Sequence, residues 1–197
     1  MILLKLLKTL LFNLKSLTMK RFVYPIAALA LMTASAFTFI ASQDWKINDD
    51  YTIKFTSHDP SGTFAGLKGT VAFDENDLAA SKFDVTIDVA TINTGNGMKN
   101  NHAKSARWFD AEKYPTIGFK STGITKTSTG YTATGALQIH GVTRDFVLPF
   151  NYQKTDKGGL FTSSFEINRL DYNVNTEEPE HGAASFKVDI SVPVSKP

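Results

Sequence analysis

From Lys82 to Val89 the chain alternates strictly between polar and apolar side chains. Phe83, Val85, Ile87 and Val89 fall on one side, and Lys82, Asp84, Thr86 and Asp88 on the other. Successive strand side chains point to opposite faces, so this is a strand with one apolar and one wet face. The pattern returns near the C-terminus, where Phe186, Val188, Ile190 and Val192 alternate with Lys187, Asp189 and Ser191. Tyr131, Ala133, Gly135, Leu137 and Ile139 repeat it in between. Several such strands at short intervals imply an antiparallel sheet folded around an apolar interior. That interior is either a packed core or an apolar pocket, and alternation alone does not separate the two.

Punctuation between the strands sets their order. Trp45 to Ile47 and Tyr51 to Thr56 read as strand material around an Asp49-Asp50 turn. His58-Asp59-Pro60-Ser61-Gly62 reads as a loop, because Pro and Gly interrupt it. Further strands are predicted over 70–74, 81–91, 116–124, 131–139, 144–152, 160–168 and 184–194, with Gly141 and Lys157-Gly158-Gly159 as turns. A helix is predicted from about Asn101 to Phe109, capped by Asn101 and ended before Tyr114-Pro115. The acidic, proline-containing stretch Asn175 to Gly182 reads as an exposed loop. The sum is about eight strands with one helical insertion, in a single domain over residues 44–197. Eight antiparallel strands can close into a barrel or stack as a sandwich, and the pattern leaves both open.

The N-terminus has a different character. Met19-Lys20-Arg21 is a basic start, Phe22 to Gln43 carries no charge, and Ala34-Ser35-Ala36 has the small-x-small form of a signal-peptidase site. Together these predict a secretory signal over 19–36, cleaved after Ala36. An uncleaved anchor is the competing reading, since a bilayer span needs roughly 20 apolar residues. Residues 1–18, rich in Leu and Lys, read as an upstream extension with Met19 as the true start; a basic amphipathic surface helix is the alternative. Residues 1–36 hold five of the 21 Lys and Arg and none of the 19 Asp and Glu, which leaves 16 against 19 and a net charge of −3. Nucleic-acid binding then loses its electrostatic basis. With no cysteine in an oxidising compartment, stability must come from packing.

The order of motifs resembles the YceI-like family of bacterial envelope proteins, also described as polyisoprenoid- or lipid-binding. The resemblance is carried by Trp45-x-Ile47, by Gly66-Leu67-x-Gly69-Thr70-Val71-x-Phe73-Asp74, and by the strand from Ser81 to Val89 with Ile92-x-Thr94-Gly95-Asn96 after it. His102-x-Lys104-Ser105-x-x-x-Phe109-Asp110, Tyr114-Pro115-x-Ile117-x-Phe119-x-Ser121, Gly135-x-Leu137-x-Ile139-x-Gly141-Val142-Thr143 and Phe165-x-Ile167-Asn168-Arg169-x-Asp171-Tyr172 continue it. Each motif is weak alone; the full set in order is specific. The resemblance implies an all-β, eight-stranded lipocalin-like barrel around a long apolar cavity. It implies one amphiphilic chain bound inside, an isoprenoid, isoprenoid quinone or fatty-acid derivative, and it does not imply catalysis. With the signal sequence, the expectation is a periplasmic or secreted carrier that is not an enzyme and holds no cofactor. It leaves room for transient membrane contact and for a homodimer. The helical insertion departs from the family pattern, with Asn100 and Arg107 at two acidic positions and Ala103 in place of a Leu. Asn173-Val174-Asn175 stands where the family has Gly-Val-Gly, and Asn tolerates the left-handed conformation that such a turn needs.

The cavity is expected to be lined by Phe55, Phe73, Val85, Ile87, Phe119, Leu137, Ile139, Phe165, Ile167, Phe186, Val188 and Ile190. Small residues at inward positions, Ala133, Gly135 and Ala184, favour hollow space. His102 and Lys104 are the candidates for a polar head group. Asn93, Thr94 and Asn96 read as turn formers, and Asn168-Arg169 with Asp171 as a local ion pair. The histidines His58, His102, His140 and His181 lack metal-ligand spacing. There is no Gly-x-Ser-x-Gly elbow and no phosphate-cradling glycine loop. The rival to a carrier is a filled barrel that acts in the envelope through its loops. An enzyme holding a lipid substrate in the pocket is the third reading.

Overall fold

The computed structural model describes residues 44–196 apart from Pro179, His181 and Gly182. The predicted signal sequence, its cleavage site and the upstream extension lie outside the described residues.

Ten strands form one antiparallel ring: β1 Asp44–Ile47, β2 Thr52–Thr56, β3 Gly62–Phe64, β4 Lys68–Ala72, β5 Lys82–Asp88, β6 Thr116–Lys126, β7 Tyr131–Ile139, β8 Val142–Thr155, β9 Gly158–Asn168 and β10 Ser185–Ser195. They fill eight positions, because β1 and β2 lie end to end along the same edge of β10. β10 pairs with β2 over Lys187–Ser191 and with β1 at Val194 and Ser195. The Asp49-Asp50 turn separates the two halves, and Asn48 N donates to the Pro193 carbonyl at 3.0 Å across the break. β3 and β4 are likewise two pieces of one position, against β2 and β1 respectively. Closure makes the fold a barrel, with β8 and β9 laddered to each other only over Asn151–Thr155 and Gly158–Thr162.

β3 was not legible in the sequence. It is three residues long, too short for alternation to register, and it exists because Ile53, Lys54 and Phe55 offer it a partner. Thr63 also bridges to Asn93, with two backbone hydrogen bonds of 2.9 Å. The tight β7–β8 hairpin places both loop residues at positive φ, His140 at 51° and Gly141 at 74°, the geometry two-residue hairpins prefer. Asn173 and Asn175 take φ of 57° and 50°, so asparagine does sustain the left-handed turn expected there.

The helix is displaced from its expected position. α1 spans Gly97–Lys104, and its N-cap is Asn96, whose Oδ1 accepts from Met98 N and Lys99 N at 3.0 Å each. Several asparagines in this stretch can cap a helix. Asn100, one of them, is instead taken by Thr94, whose N and Oγ1 both donate to its Oδ1 at 2.8 Å. Residues 105–113 follow as tight turns rather than as helix.

Candidate functional site

The barrel interior differs at its two ends. At the lower end Phe73 is 1% exposed and makes ring contacts with Phe83, Tyr131, Phe150, Tyr152 and Phe161, at centroid distances of 5.0–6.5 Å. Trp45 Nε1 donates to the Phe73 carbonyl at 2.9 Å. Tyr131 donates to Glu75 Oε1 at 3.0 Å, so its hydroxyl leaves the core satisfied. Burial pushes the Tyr131 and Tyr152 phenols above their ordinary range, helped at Tyr131 by the Glu75 hydrogen bond. This end is a solid aromatic plug.

Above the plug the barrel is hollow. A cavity of about 440 Å³ runs up to α1, with walls that are overwhelmingly apolar. This lies within the roughly 300–1,000 Å³ of ordinary ligand sites. Phe55 of β2, Val85 and Ile87 of β5, Phe119 of β6, and Leu137 and Ile139 of β7 form part of its wall. Phe165 and Ile167 of β9, and Phe186, Val188 and Ile190 of β10, complete the set read from alternation. Phe73 shares their inward parity but not their height, and belongs to the plug. The same alternation brings in Phe146 and Leu148 of β8, neither of them among the expected wall residues. Trp108 and Phe109, in the turns after α1, had no periodic signal to reveal them.

The small residues do not create the hollow. Ala133, Gly135 and Ala184 are not on the cavity wall. A Cβ on Gly135 would lie 2.2 Å from the Lys120 carbonyl oxygen, so glycine is needed there for the close approach of β6. The register of β6 against β7 slips beside it, between Ser121 and Gly123.

At the mouth, Lys99, His102 and Ala103 reach the cavity, and Lys104 does not. Their i, i+3, i+4 spacing puts the first three on one helical face. Starting the helix at Gly97 rather than near Asn101 therefore brings in Lys99. Lys99 Nζ pairs with Asp59 Oδ1 at 2.7 Å, joining α1 to the β2–β3 loop. His102 meets Trp108 edge-on at 5.9 Å. Of the three departures in the helical insertion, only Ala103 reaches the cavity. Asn100 keeps an acceptor for Thr94. Arg107 pairs with Glu178 at 3.1 Å and Glu177 at 3.8 Å. Ala103 puts a small side chain on the wall.

Arg169 lies on the wall but is 4% exposed. Its Nη1 donates to the Val174 and Asn175 carbonyls at 2.7 and 2.8 Å, and its Nε to the Ala183 carbonyl at 3.0 Å. Its guanidinium sits 5.3 Å from the Trp108 ring centroid. Desolvation lowers its pKa from the ordinary arginine value. These partners are backbone carbonyls rather than the Asp171 expected from the local motif. They also fold Asn175 inward to 2% exposure, so the predicted exposed loop begins only after it. Among the described residues, no three His, Asp or Glu side chains form a group that could hold a metal.

An antiparallel barrel, plugged at one end and hollow and apolar beneath a helical cap at the other, has the lipocalin-like architecture. The model of the YceI-like domain matches residues 32–195, and the chain belongs to that family. Protein YceI of Escherichia coli O17:K52:H18 (strain UMN026 / ExPEC) is 34% identical over 139 residues, 68% of this chain and 71% of its own. The crystal structure of BcnA from Burkholderia cenocepacia is similar at a TM-score of 0.69 with 25% identity, over 75% of this chain and 98% of BcnA. A polyisoprenoid binding domain from Saccharophagus degradans, implicated in plant cell wall breakdown, shares the fold at a TM-score of 0.61 and 14% identity, over 80% of this chain and 99% of its own.

Proposed function

We propose that the protein binds and carries one long-chain amphiphile, an isoprenoid, isoprenoid quinone or fatty-acid derivative, with its hydrocarbon in the cavity. The hollow apolar space between the aromatic plug and α1 carries this reading. Burial of hydrocarbon yields roughly 0.8 kcal/mol per CH₂, so a long chain is held with few polar contacts. The polar end would lie at the mouth, by Lys99 and His102. The fold shared with a polyisoprenoid binding domain supports the same ligand class. The overwhelmingly apolar wall suits holding a hydrocarbon chain. The signal-like sequence over 19–36 supports a periplasmic or secreted location, with ligand exchange at a membrane surface. No helix among the described residues is long and apolar enough to cross a membrane.

Native mass spectrometry of the protein purified gently from an envelope fraction tests the reading and shows whether one copy or two are present. A stoichiometric adduct of isoprenoid or acyl mass is expected, identified after extraction. Leu137→Trp and Ile87→Trp, which put bulk into the wall, are expected to lose the adduct while retaining the β-rich circular dichroism of the parent. A bare mass that stays bare after incubation with mixed envelope lipids would overturn the carrier reading.

A further inference from the structure

β8 and β9 are long strands, yet their ladder covers only their lower ends, from Asn151↔Thr162 to Thr155↔Gly158. Above it β8 stays paired with β7 as far as Val142, and β9 with β10 as far as Asn168, but no ladder joins β8 to β9. Pro149 stands where the ladder stops. Its carbonyl faces β9, because it accepts a hydrogen bond from Ser163 Oγ. In an extended strand the N–H and C=O of one residue point the same way, so the N–H that proline lacks is the one β9 would have received. The serine hydroxyl takes the carbonyl left over. Higher up, Arg144 Nε donates to the Asp171 carbonyl, just past the end of β9.

These contacts frame a window. Ser163 and Pro149 close it below, Arg144 and Asp171 above, and residues 145–148 and 164–168 form its sides. At roughly 3.3 Å per strand residue it is about 15 Å tall. Only side chains shut it. Phe146 and Phe165 meet edge-on across it with centroids 5.2 Å apart, and both line the cavity, as do Leu148 and Ile167. All four are half-buried. The other short gap, between the Thr63–Asn93 bridge and the β4–β5 ladder that starts at Lys68↔Thr86, is closed by the Thr91 hydroxyl, which accepts from Ala65 N and donates to the Ala65 carbonyl at 2.9 Å each. Rotation of a ring is far faster than opening of a hydrogen-bonded ladder, so this is the side of the barrel that opens most readily.

We propose that the window between β8 and β9 is a lateral entrance to the cavity, with Phe146 and Phe165 as its leaves. The hydrocarbon of an amphiphile slides through it edgewise while the polar end stays outside or at the mouth. This rests on the chain-binding reading above. An entrance that runs along the chain axis lets a hydrocarbon leave a bilayer without the capped end having to unfold.

The test is stopped-flow exchange of cis-parinaric acid, an intrinsically fluorescent polyene fatty acid, with the wild-type chain and two variants. Extending the β8–β9 register from Asn151↔Thr162 places Val147 opposite Glu166. Both point outward, away from the cavity, and the chain has no other cysteine. Oxidised Val147→Cys/Glu166→Cys is expected to slow association and dissociation alike, by about tenfold or more, with Kd held within about twofold and both rates restored on reduction. Phe146→Ala is expected to speed association, which loss of a mere wall contact does not do. Wild-type rates in the crosslinked chain, its disulfide verified by mass, would overturn the window. Unchanged association in Phe146→Ala would overturn it as well, whether or not the disulfide forms. Failure of the wild-type chain to take up the probe, together with a bare mass after incubation with mixed envelope lipids, would instead overturn the chain-binding reading, and the window with it.

Discussion

Phe73 illustrates what a single residue decides in this barrel. It has the inward parity of the cavity residues, but it sits just past the end of β4 and fills the lower end with five aromatic neighbours. Phe73→Ala is expected to cost about 3–5 kcal/mol of stability, read as a fall in the urea midpoint, because the surrounding rings cannot all collapse into the space. A loss under about 1 kcal/mol would show the plug to be loosely packed. The buried Tyr131 and Tyr172 and the half-buried Tyr152 are expected to give this barrel an alkaline limit. Tyr131, Tyr152 and Tyr172 are held above the ordinary tyrosine value of 10.0, by burial first in each case. A group whose pKa is raised on folding keeps its full contribution below the unfolded value and loses it as pH climbs through the folded one. Stability is therefore expected to hold to about pH 9 and to decline above about pH 10, with Tyr131→Phe and Tyr152→Phe flattening the decline. Identical declines in wild type and both variants would place the alkaline sensitivity elsewhere. Parity made the direction of each of these side chains legible. Their depth along the barrel was not, because height depends on strand stagger, which is a relation between strands.

Among the elements, the β6–β7 pair shows how a conformational need can look like a choice of size. Gly135 has the position of a small inward residue, yet its role is to let the β6 backbone approach at the register slip. Gly135→Ala is expected to destabilise by about 1–3 kcal/mol, measured by urea unfolding, as overpacking against backbone does. Ala136→Gly, on the same strand and only partly buried, provides the comparison for a simple change in strand propensity. The long strands were legible because their alternation is repeated many times over. α1 was legible as an element but not in its boundaries, since the choice among several capping asparagines is made by partners such as Thr94. That shift of helix start is why Lys99, rather than Lys104, stands at the cavity. β3 has too few residues to carry a period, and only its pairing with β2 and Asn93 defines it.

For the molecule as a whole, the two candidate interiors both occur, at different heights. The lower barrel is filled with aromatic rings, and the upper barrel holds a cavity of about 440 Å³. Which side chains face inward was already settled by alternation, since strand geometry fixes the face of every second residue without reference to any neighbour. The same holds for the turn at Asn173 to Asn175, where a residue tolerant of positive φ suffices. Ring closure through β1 and β10, the division between plug and cavity, and the unladdered stretch of β8 and β9 were decided only by the tertiary structure. Each depends on register and stagger between strands far apart in the chain. Equal apolar alternation is compatible with a full interior and an empty one, because it states which way a side chain points and not what it meets there.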